Sequence, residues 1–336
     1  MKRAGCSEEN AETLATVLSM ADYRGSFAYG LNKLEKYYNE VKAKTCDGLA
    51  EPVIEKESCT TVYINGKNAL GPVIANFAMC QAVNKATDIG IGVSSAYNCH
   101  HLIFGSKYVE DAVQKGFIAF AFCNNVRTLI PFRTSQVALG TNPITVGSPG
   151  ECDDSFLFNM SCTNVPMGKI ELQKKINGEI PHEWAMTPLG KPETNINNII
   201  AQPNLVPLGG DYTSQGYKGY GLALAVEMIT GVLAGGAYGE AHRPYGNCTD
   251  KPNLSMTFIA VNPDMFADSF EARMQKTMNF LRKMSPTKDP VLVPGDPERL
   301  HMQKVDREGG IPYHPVLIDS INQLAHQAGV DQIKIE

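Results

Sequence analysis

The sequence predicts an α/β protein of the α+β type. Two apolar patterns alternate along it: short runs rich in β-branched and aromatic residues, such as 89–94 and 117–123, and longer stretches with apolar residues at helical spacing. No G-x-G-x-x-G follows a first strand, which argues against a doubly wound sheet. With 336 residues, 43% hydrophobic and 19% charged, the chain can bury a large core, and its length suggests two lobes rather than one.

From Ser7, the run Ser-Glu-Glu-Asn followed by Leu14, Val17, Leu18 and Ala21 predicts a capped amphipathic helix with acidic residues in its first turn, ended by Gly25. Residues 26–30 form a tight joint, and Leu34, Tyr37, Tyr38 and Val41 side a second helix over 31–41. Thr60 to Ile64 alternates like a strand, Asn65-Gly66 marks a turn, and Val73, Phe77, Cys80 and Val83 put a helix over 72–87. A strand at 89–94, a helix over 107–115 and a strand over 117–123 follow. Residues 139–144, Leu-Gly-Thr-Asn-Pro-Ile, read as a loop, because Gly and Asn permit a positive φ and Pro ends a ladder.

An acidic turn at 151–154 leads to a strand at 155–160, a polar loop at 161–164 and a helix from Pro166 to Ile176. Residues 177–218, rich in Gly, Pro and Asn, are too long for an ordinary connection and make a candidate lid. Gly219 to Gly239 is apolar and glycine-rich but carries Glu227, so a buried, closely packed helix is expected there rather than a membrane span. A strand at 256–261, an amphipathic helix at 264–284, a strand edge at 292–297 and a last helix at 315–328 complete the chain.

The formal charge of −5 and the pI near 5.9, with no Lys/Arg cluster, leave no source for the counterion release that nucleic-acid binding needs. The nine cysteines include no C-x-x-C pair, and several sit in apolar runs, which fits packed thiols in a reduced cytoplasmic compartment better than disulfides or a metal site. Glu8, Glu9 and Glu12 interrupt the apolar segment that a signal peptide would require, so no export signal is expected.

The chemistry is expected between Tyr97 and Val146. Cys99-His100-His101 lies between a strand and a helix, and an imidazole, with its ordinary pKa near 6.5, suits proton transfer at neutral pH. The 139–144 loop offers exposed backbone N–H groups close by in the sequence.

Four motifs, taken together, resemble those of the malate/L-lactate dehydrogenase family of NAD(P)-dependent oxidoreductases. They are Leu139-Gly140-Thr141-Asn142-Pro143-Ile144, Met167-Gly168-Lys169, Pro207-Leu208-Gly209-Gly210 with Gly216-Tyr217-Lys218-Gly219-Tyr220-Gly221-Leu222, and Pro294-Gly295-Asp296-Pro297-Glu298. The resemblance runs from about Ala4 to about Val330. It implies the family's non-Rossmann fold, in which a mixed-sheet cofactor domain over 71–221 is inserted in a helical domain made of 1–70 and 222–336. It also implies hydride transfer between nicotinamide and a small 2-hydroxy or 2-oxo acid, NAD or NADP as cofactor, and a homodimer.

Residue by residue, the resemblance makes His101 the acid/base, although Cys99 and His100 stand where the family has Ser-Asn, and Leu102-Ile103 where it has Phe-Gly. The family's Ser-His-Gly turn reads Ala28-Tyr29-Gly30, which offers Tyr29 as a second proton donor, and the arginine that clamps the substrate carboxylate becomes Lys33. The Gly-Gly-Lys after Pro-Phe reads Arg133-Thr134-Ser135, with Arg133 as a substitute cation. On the cofactor side it implies Gly140, Thr141 and Asn142; Phe158, Asn159 (an aspartate in the family), Met160, Ser161, Cys162, Thr163 and Asn164; Tyr217 and Lys218; and Gly295, Asp296 and Pro297. The four altered polar positions leave a second reading open, a catalytically silent relative that binds a dinucleotide and acts as a sensor or scaffold.

Overall fold

The structure, a computed structural model, describes residues 1–210 and 215–333. Part of the expected lid, 211–214, lies outside the described residues. Helix α1 (Glu8–Tyr23) forms as its sequence dictates: the Ser7 hydroxyl accepts from the Asn10 amide, and Leu14, Val17, Leu18 and Ala21 face the core. After a 3-10 turn at Leu31–Lys33 comes α2 (Leu34–Lys42), then β1 (Val53–Glu57), β2 (Thr61–Asn65), α3 (Gly71–Ile89), β3 (Ile91–Cys99), α4 (Gly105–Val113), β4 (Ile118–Cys123), β5 (Ile144–Pro149) and β6 (Ser155–Met160). The second half holds α5 (Met167–Lys175), α6 (Ile196–Ala201), α7 (Tyr217–Glu227), β7 (Leu254–Val261), α8 (Phe270–Arg282), α9 (Asp296–Glu308) and α10 (Pro315–Ala328).

The strands make one mixed 7-stranded sheet in the order β1-β2-β3-β7-β4-β5-β6. The β2–β3 pair is parallel and the other pairs are antiparallel. Strand β7, late in the chain, inserts between β3 and β4, with Phe258 opposite both Ser94 and Ala121. That central place explains why β7 is an almost unbroken buried run. The sheet therefore takes β1, β2 and β7 from outside 71–221 and β3 to β6 from within it. Helix α3 covers β3 with a face of small residues, Ala75, Ala78, Ala82 and Ala86, close enough for the Ser94 hydroxyl to donate to the Ala78 carbonyl at 2.7 Å.

Several expectations are corrected. Residues 292–297 form no strand. One backbone bond, Leu157 N–H to the Pro294 carbonyl, ties them to β6, and Gly295, at φ 102, turns the chain straight into α9. Strand β1 escaped notice because all five of its residues are exposed and show no alternation, and β5 because Gly140 to Pro143 reads as the end of order. Helix α8 starts at Phe270, after Ser269 at φ 58 breaks the helical phase.

The closely packed helix expected over 219–239 is packed on one side only. Helix α7 runs into a π turn at Met228–Val232, Gly219, Ala223 and Gly231 turn inward, and Leu224, Met228, Val232 and Leu233 are exposed. No helix among the described residues is long and apolar enough to cross a membrane.

Candidate active site

Four stretches meet around a cleft of about 60 Å³: the turn and helix start 29–36, the link 101–105 between β3 and α4, the loop 123–143 after β4, and the start of α5 at 166–168, with Tyr245 alongside. At roughly 10–15 Å³ for one water, the cleft has room for the reacting ends of small organic molecules. Tyr29, Lys33, His101, Thr141 and Asn159, singled out from the sequence, all line it.

The chain reaches His101 from the end of β3 and leaves it through Ile103, at φ 72, an uncommon backbone for a β-branched residue. The His101 Nδ1 lies 2.7 Å from the Tyr37 hydroxyl. His101 is half-buried and lines the cleft. Burial, joined by the charges of Lys36, Lys33 and Arg243 and by His100, holds its pKa well below the ordinary 6.5. Burial likewise keeps the Tyr37 phenol protonated, so it can donate or accept toward either tautomer of His101. His100 is a packed partner. Its Nε2 is 3.3 Å from Glu40 Oε2, Arg243 Nη2 donates to Glu40 Oε1 at 2.8 Å, and burial lowers the His100 pKa to about 4.

Lys33 is buried, and its ammonium is paired with the Glu171 carboxylate, whose other oxygen accepts from the Tyr245 hydroxyl. Burial lowers the Lys33 pKa. The Glu171 carboxyl, which burial alone would raise, is held below its usual range by Lys33, Lys36 and its hydrogen bonds. Lys33 is thus neither the solvated lysine of a charged helix face nor an uncommitted clamp. Burial pushes the Tyr29 phenol up to about 12, which leaves it a hydrogen-bond donor and a poor base. The turn that carries it is fixed by Asp22, whose Oδ2 accepts from the Leu31 amide and the Tyr313 hydroxyl, each at 2.8 Å. Gly30 is required there, since a Cβ would sit 1.8 Å from Asp22 Oδ1.

Arg133 does not line the cleft. Its backbone is left-handed at φ 69, its guanidinium lies 5.5 Å from the Phe132 ring centroid, and that ring meets Tyr217 edge-on. The segment therefore sits beside the start of α7, with Tyr217 and Lys218 exposed there.

On the opposite wall, Gly140 lets the loop pass the Asn125 carbonyl, 2.5 Å from where a Cβ would be. Asn142 is a structural brace: its amide donates to the Ala223 carbonyl and to Glu227 Oε2, both at 2.9 Å, and its Oδ1 accepts from the Asn125 amide. Glu227 also meets His242 Nε2 at 2.6 Å, so it is paired and structural. In the 161–164 loop, Cys162 is buried against the Asn142 carbonyl, the Ser161 and Thr163 hydroxyls bond within the loop, and Asn164 reaches the Glu183 carbonyl. Asn159 accepts from the Thr145 hydroxyl at 3.0 Å, while Phe158 and Met160 are half-buried on the same strand.

Gly295, Asp296 and Pro297 lie against the start of β6. Both Asp296 oxygens are taken, by Arg282, Arg299 and the Val293 amide, and these donors outweigh burial to keep its carboxyl far below the usual range. Among the described residues no group of His, Cys, Asp and Glu is placed to hold a metal. The Cys123 thiol, which lines the cleft, is pushed up to about 12 by burial and is no nucleophile.

Lys36, Thr128 and Tyr245 line the cleft without having been expected to, and Glu171 and Tyr37 stand behind it. Lys36 and Tyr37 were legible in principle, since they follow Lys33 at helical spacing on α2, but Tyr37 looked like core. Glu171 and Tyr245 come from distant stretches and carried no local signal.

A dehydrogenase acting on a CH–OH group is the class these features and the chain's relatives define. The chain belongs to the malate/L-lactate dehydrogenase family, whose model matches residues 1–322. It is 28% identical to a malate dehydrogenase of Pyrococcus abyssi over 100% of this chain and 93% of that protein. It is 29% identical to a ureidoglycolate dehydrogenase (NAD(+)) of Escherichia coli over 91% of this chain and 87% of that protein. The solved malate dehydrogenase of Entamoeba histolytica superposes with a TM-score of 0.93 at 26% identity, covering 99% of this chain and 95% of that one. Sulfolactate dehydrogenase of Methanocaldococcus jannaschii gives 0.85 at 28% identity, with 98% and 94% covered.

Proposed function

We propose that this chain moves a hydride between a nicotinamide cofactor and a small 2-hydroxy or 2-oxo acid, with His101 as the acid/base. The observation that carries this reading is the His101 imidazole itself, set in the wall of the small cleft with Nδ1 on the Tyr37 hydroxyl. With Nδ1–H donating to Tyr37, Nε2 is left as the acceptor for the proton of a substrate hydroxyl. A depressed pKa keeps the imidazole neutral and ready as a base at physiological pH, and returns the proton readily in the reductive direction. Tyr29 adds a donor for the substrate oxygen.

The residues fit a nicotinamide nucleotide. Thr128 Oγ1 is buried in the cleft wall without a hydrogen-bond partner among the described residues, and Thr141 and Asn159 add neutral polar groups beside it. These three would hold a carboxamide, and the exposed Lys218 ammonium would face a pyrophosphate. The bound cofactor supplies or accepts the hydride. NAD is preferred over NADP in this reading, on the strength of the NAD(+) in the name of the ureidoglycolate dehydrogenase relative. The exposed apolar side chains at 222–233 support a homodimer, and a cytoplasmic setting fits the free thiols of all nine cysteines.

Titration of the purified protein with NADH and NADPH, followed by fluorescence, and then addition of a panel of 2-oxo acids while reading absorbance of the reduced nicotinamide, tests this. Binding with oxidation is expected. Binding with no oxidation by any acid would instead mark a silent dinucleotide-binding relative.

A further inference from the structure

We propose that Lys36 is the cation that receives the substrate carboxylate, and that the cleft selects small monocarboxylates over dicarboxylates. This rests on the reading of the site as a 2-hydroxy or 2-oxo acid site and names its charge specificity.

Among the residues lining the cleft, two are charged, Lys33 and Lys36. Lys33 is neutralised by Glu171, which Tyr245 anchors from its other oxygen. Lys36 follows one helical turn later and is half-buried. Among the described residues its ammonium makes no hydrogen bond and no ion pair within 4 Å. A half-buried ammonium with no anion in hydrogen-bond contact forfeits part of its hydration and recovers the loss when an anion enters beside it. The nearby carboxylates feel the Lys36 charge, but each is ion-paired with another cation: Glu40, one turn further along α2, with Arg243, and Glu171 with Lys33.

Among the described residues, the charged side chains of the cleft wall with their ion-pair partner, and the Glu40–Arg243 pair beside them, leave one net positive charge. Lys33 cancels Glu171, Arg243 cancels Glu40, His100 and His101 are held neutral by burial, and Lys36 is left over. One carboxylate balances that charge. A second would enter a cleft of about 60 Å³ whose lining, among the described residues, offers no further unpaired cation; Arg133 lies outside that lining, over the Phe132 ring. Unpaired charge in such a place is strongly disfavoured. The same ammonium is the leading charge acting on His101, so the carboxylate that neutralises it also makes the imidazole a better base.

The test uses the whole protein, with and without Lys36→Met, and Lys36→Arg as the conservative variant. Oxamate, an unreactive monocarboxylate, is titrated in by calorimetry, and turnover of pyruvate and oxaloacetate with NADH is compared. Oxamate should bind the wild type at least about tenfold more tightly than Lys36→Met, in line with a charge-assisted hydrogen bond. Lys36→Arg should restore most of that affinity, and the affinity for NADH should be the same in all three. Pyruvate should exceed oxaloacetate in kcat/KM by about tenfold or more, and the pH profile of Lys36→Met should move to higher pH as its positive neighbour is lost to His101. Unchanged oxamate affinity in Lys36→Met, or a preference for oxaloacetate, would overturn the proposal. Lys36-dependent oxamate binding without oxidation of NADH by any acid would uphold Lys36 and remove the dehydrogenase reading instead.

Discussion

Two charged clusters of this molecule look alike in composition and behave in opposite ways. Around the cleft, Lys33, Lys36, Glu171 and the neighbouring Glu40–Arg243 pair leave one ammonium, that of Lys36, without an ion pair among the described residues. At the start of β6, Asp154, Arg282, Asp296 and Arg299 are bonded to one another so fully that no charge is left over. Family resemblance pointed to ligand contact in both places. A charged residue becomes a site through what its neighbours leave unpaired. A paired cluster fastens α8 and α9 to the sheet, and an incomplete one can receive a ligand.

Substitutions in and around the two clusters separate these behaviours. The largest effect belongs to His101→Ala, which should lower kcat/KM by roughly 10²–10⁴ and, by leaving the buried Tyr37 hydroxyl without its partner, reduce stability by about 1–3 kcal/mol; steady-state rates of the folded variant with NADH and the preferred 2-oxo acid decide it, and retained activity would move the acid/base role to another group.

Glu171→Ala comes next. It leaves the Lys33 ammonium buried without its partner, and urea unfolding should show a loss of about 3 kcal/mol. If stability hardly changes, Lys33 is not committed to its partner, and the contrast between the two lysines fails.

Asp22 probes the same region through pH. Burial raises its carboxyl from 3.8 to about 6, so the folded protein prefers it protonated. That preference stabilises the fold below about pH 4 and is lost as pH rises through about 6. Asp22→Asn keeps an acceptor for the Leu31 amide and the Tyr313 hydroxyl, and should flatten this part of the stability curve by about 2 to 3 kcal/mol. Thermal melts at a series of pH values across that window check it; an unaltered curve would mean that Asp22 is not the titrating group.

The smallest effect lies in the paired cluster. Arg282→Ala should reduce stability by about 1 kcal/mol, more at low salt than at high, with no change in KM for the acid substrate. A rise in that KM would make the cluster part of the site after all.

Much of the architecture was legible locally. The Ser7 cap and the apolar stripe of α1, the run 118–123 and the Met167–Lys175 helix are written in propensity and period, and the structure has them where these rules put them. The position of β7 was not legible, because a strand between β3 and β4 is chosen by long-range pairing that no window of neighbouring residues encodes. Strand β1 was missed for the related reason that an edge strand with both faces exposed carries no hydrophobic alternation.

The site divides along the same line. The family and the α/β class were fixed by motifs and local pattern, and the expectation of His101 as acid/base came from the same motifs and the chemistry of imidazole. The sequence by itself also supplied the list of lysines and arginines, but not their state. Which cation is neutralised, which lines the cleft and which is stacked away were decided by tertiary structure alone. Glu171 and Tyr245 reach Lys33 from positions far along the chain, and a left-handed backbone turns Arg133 onto Phe132. Pairing and desolvation act over a few ångströms in space whatever the separation in sequence, so only the folded chain shows that Lys36 is the ammonium left over.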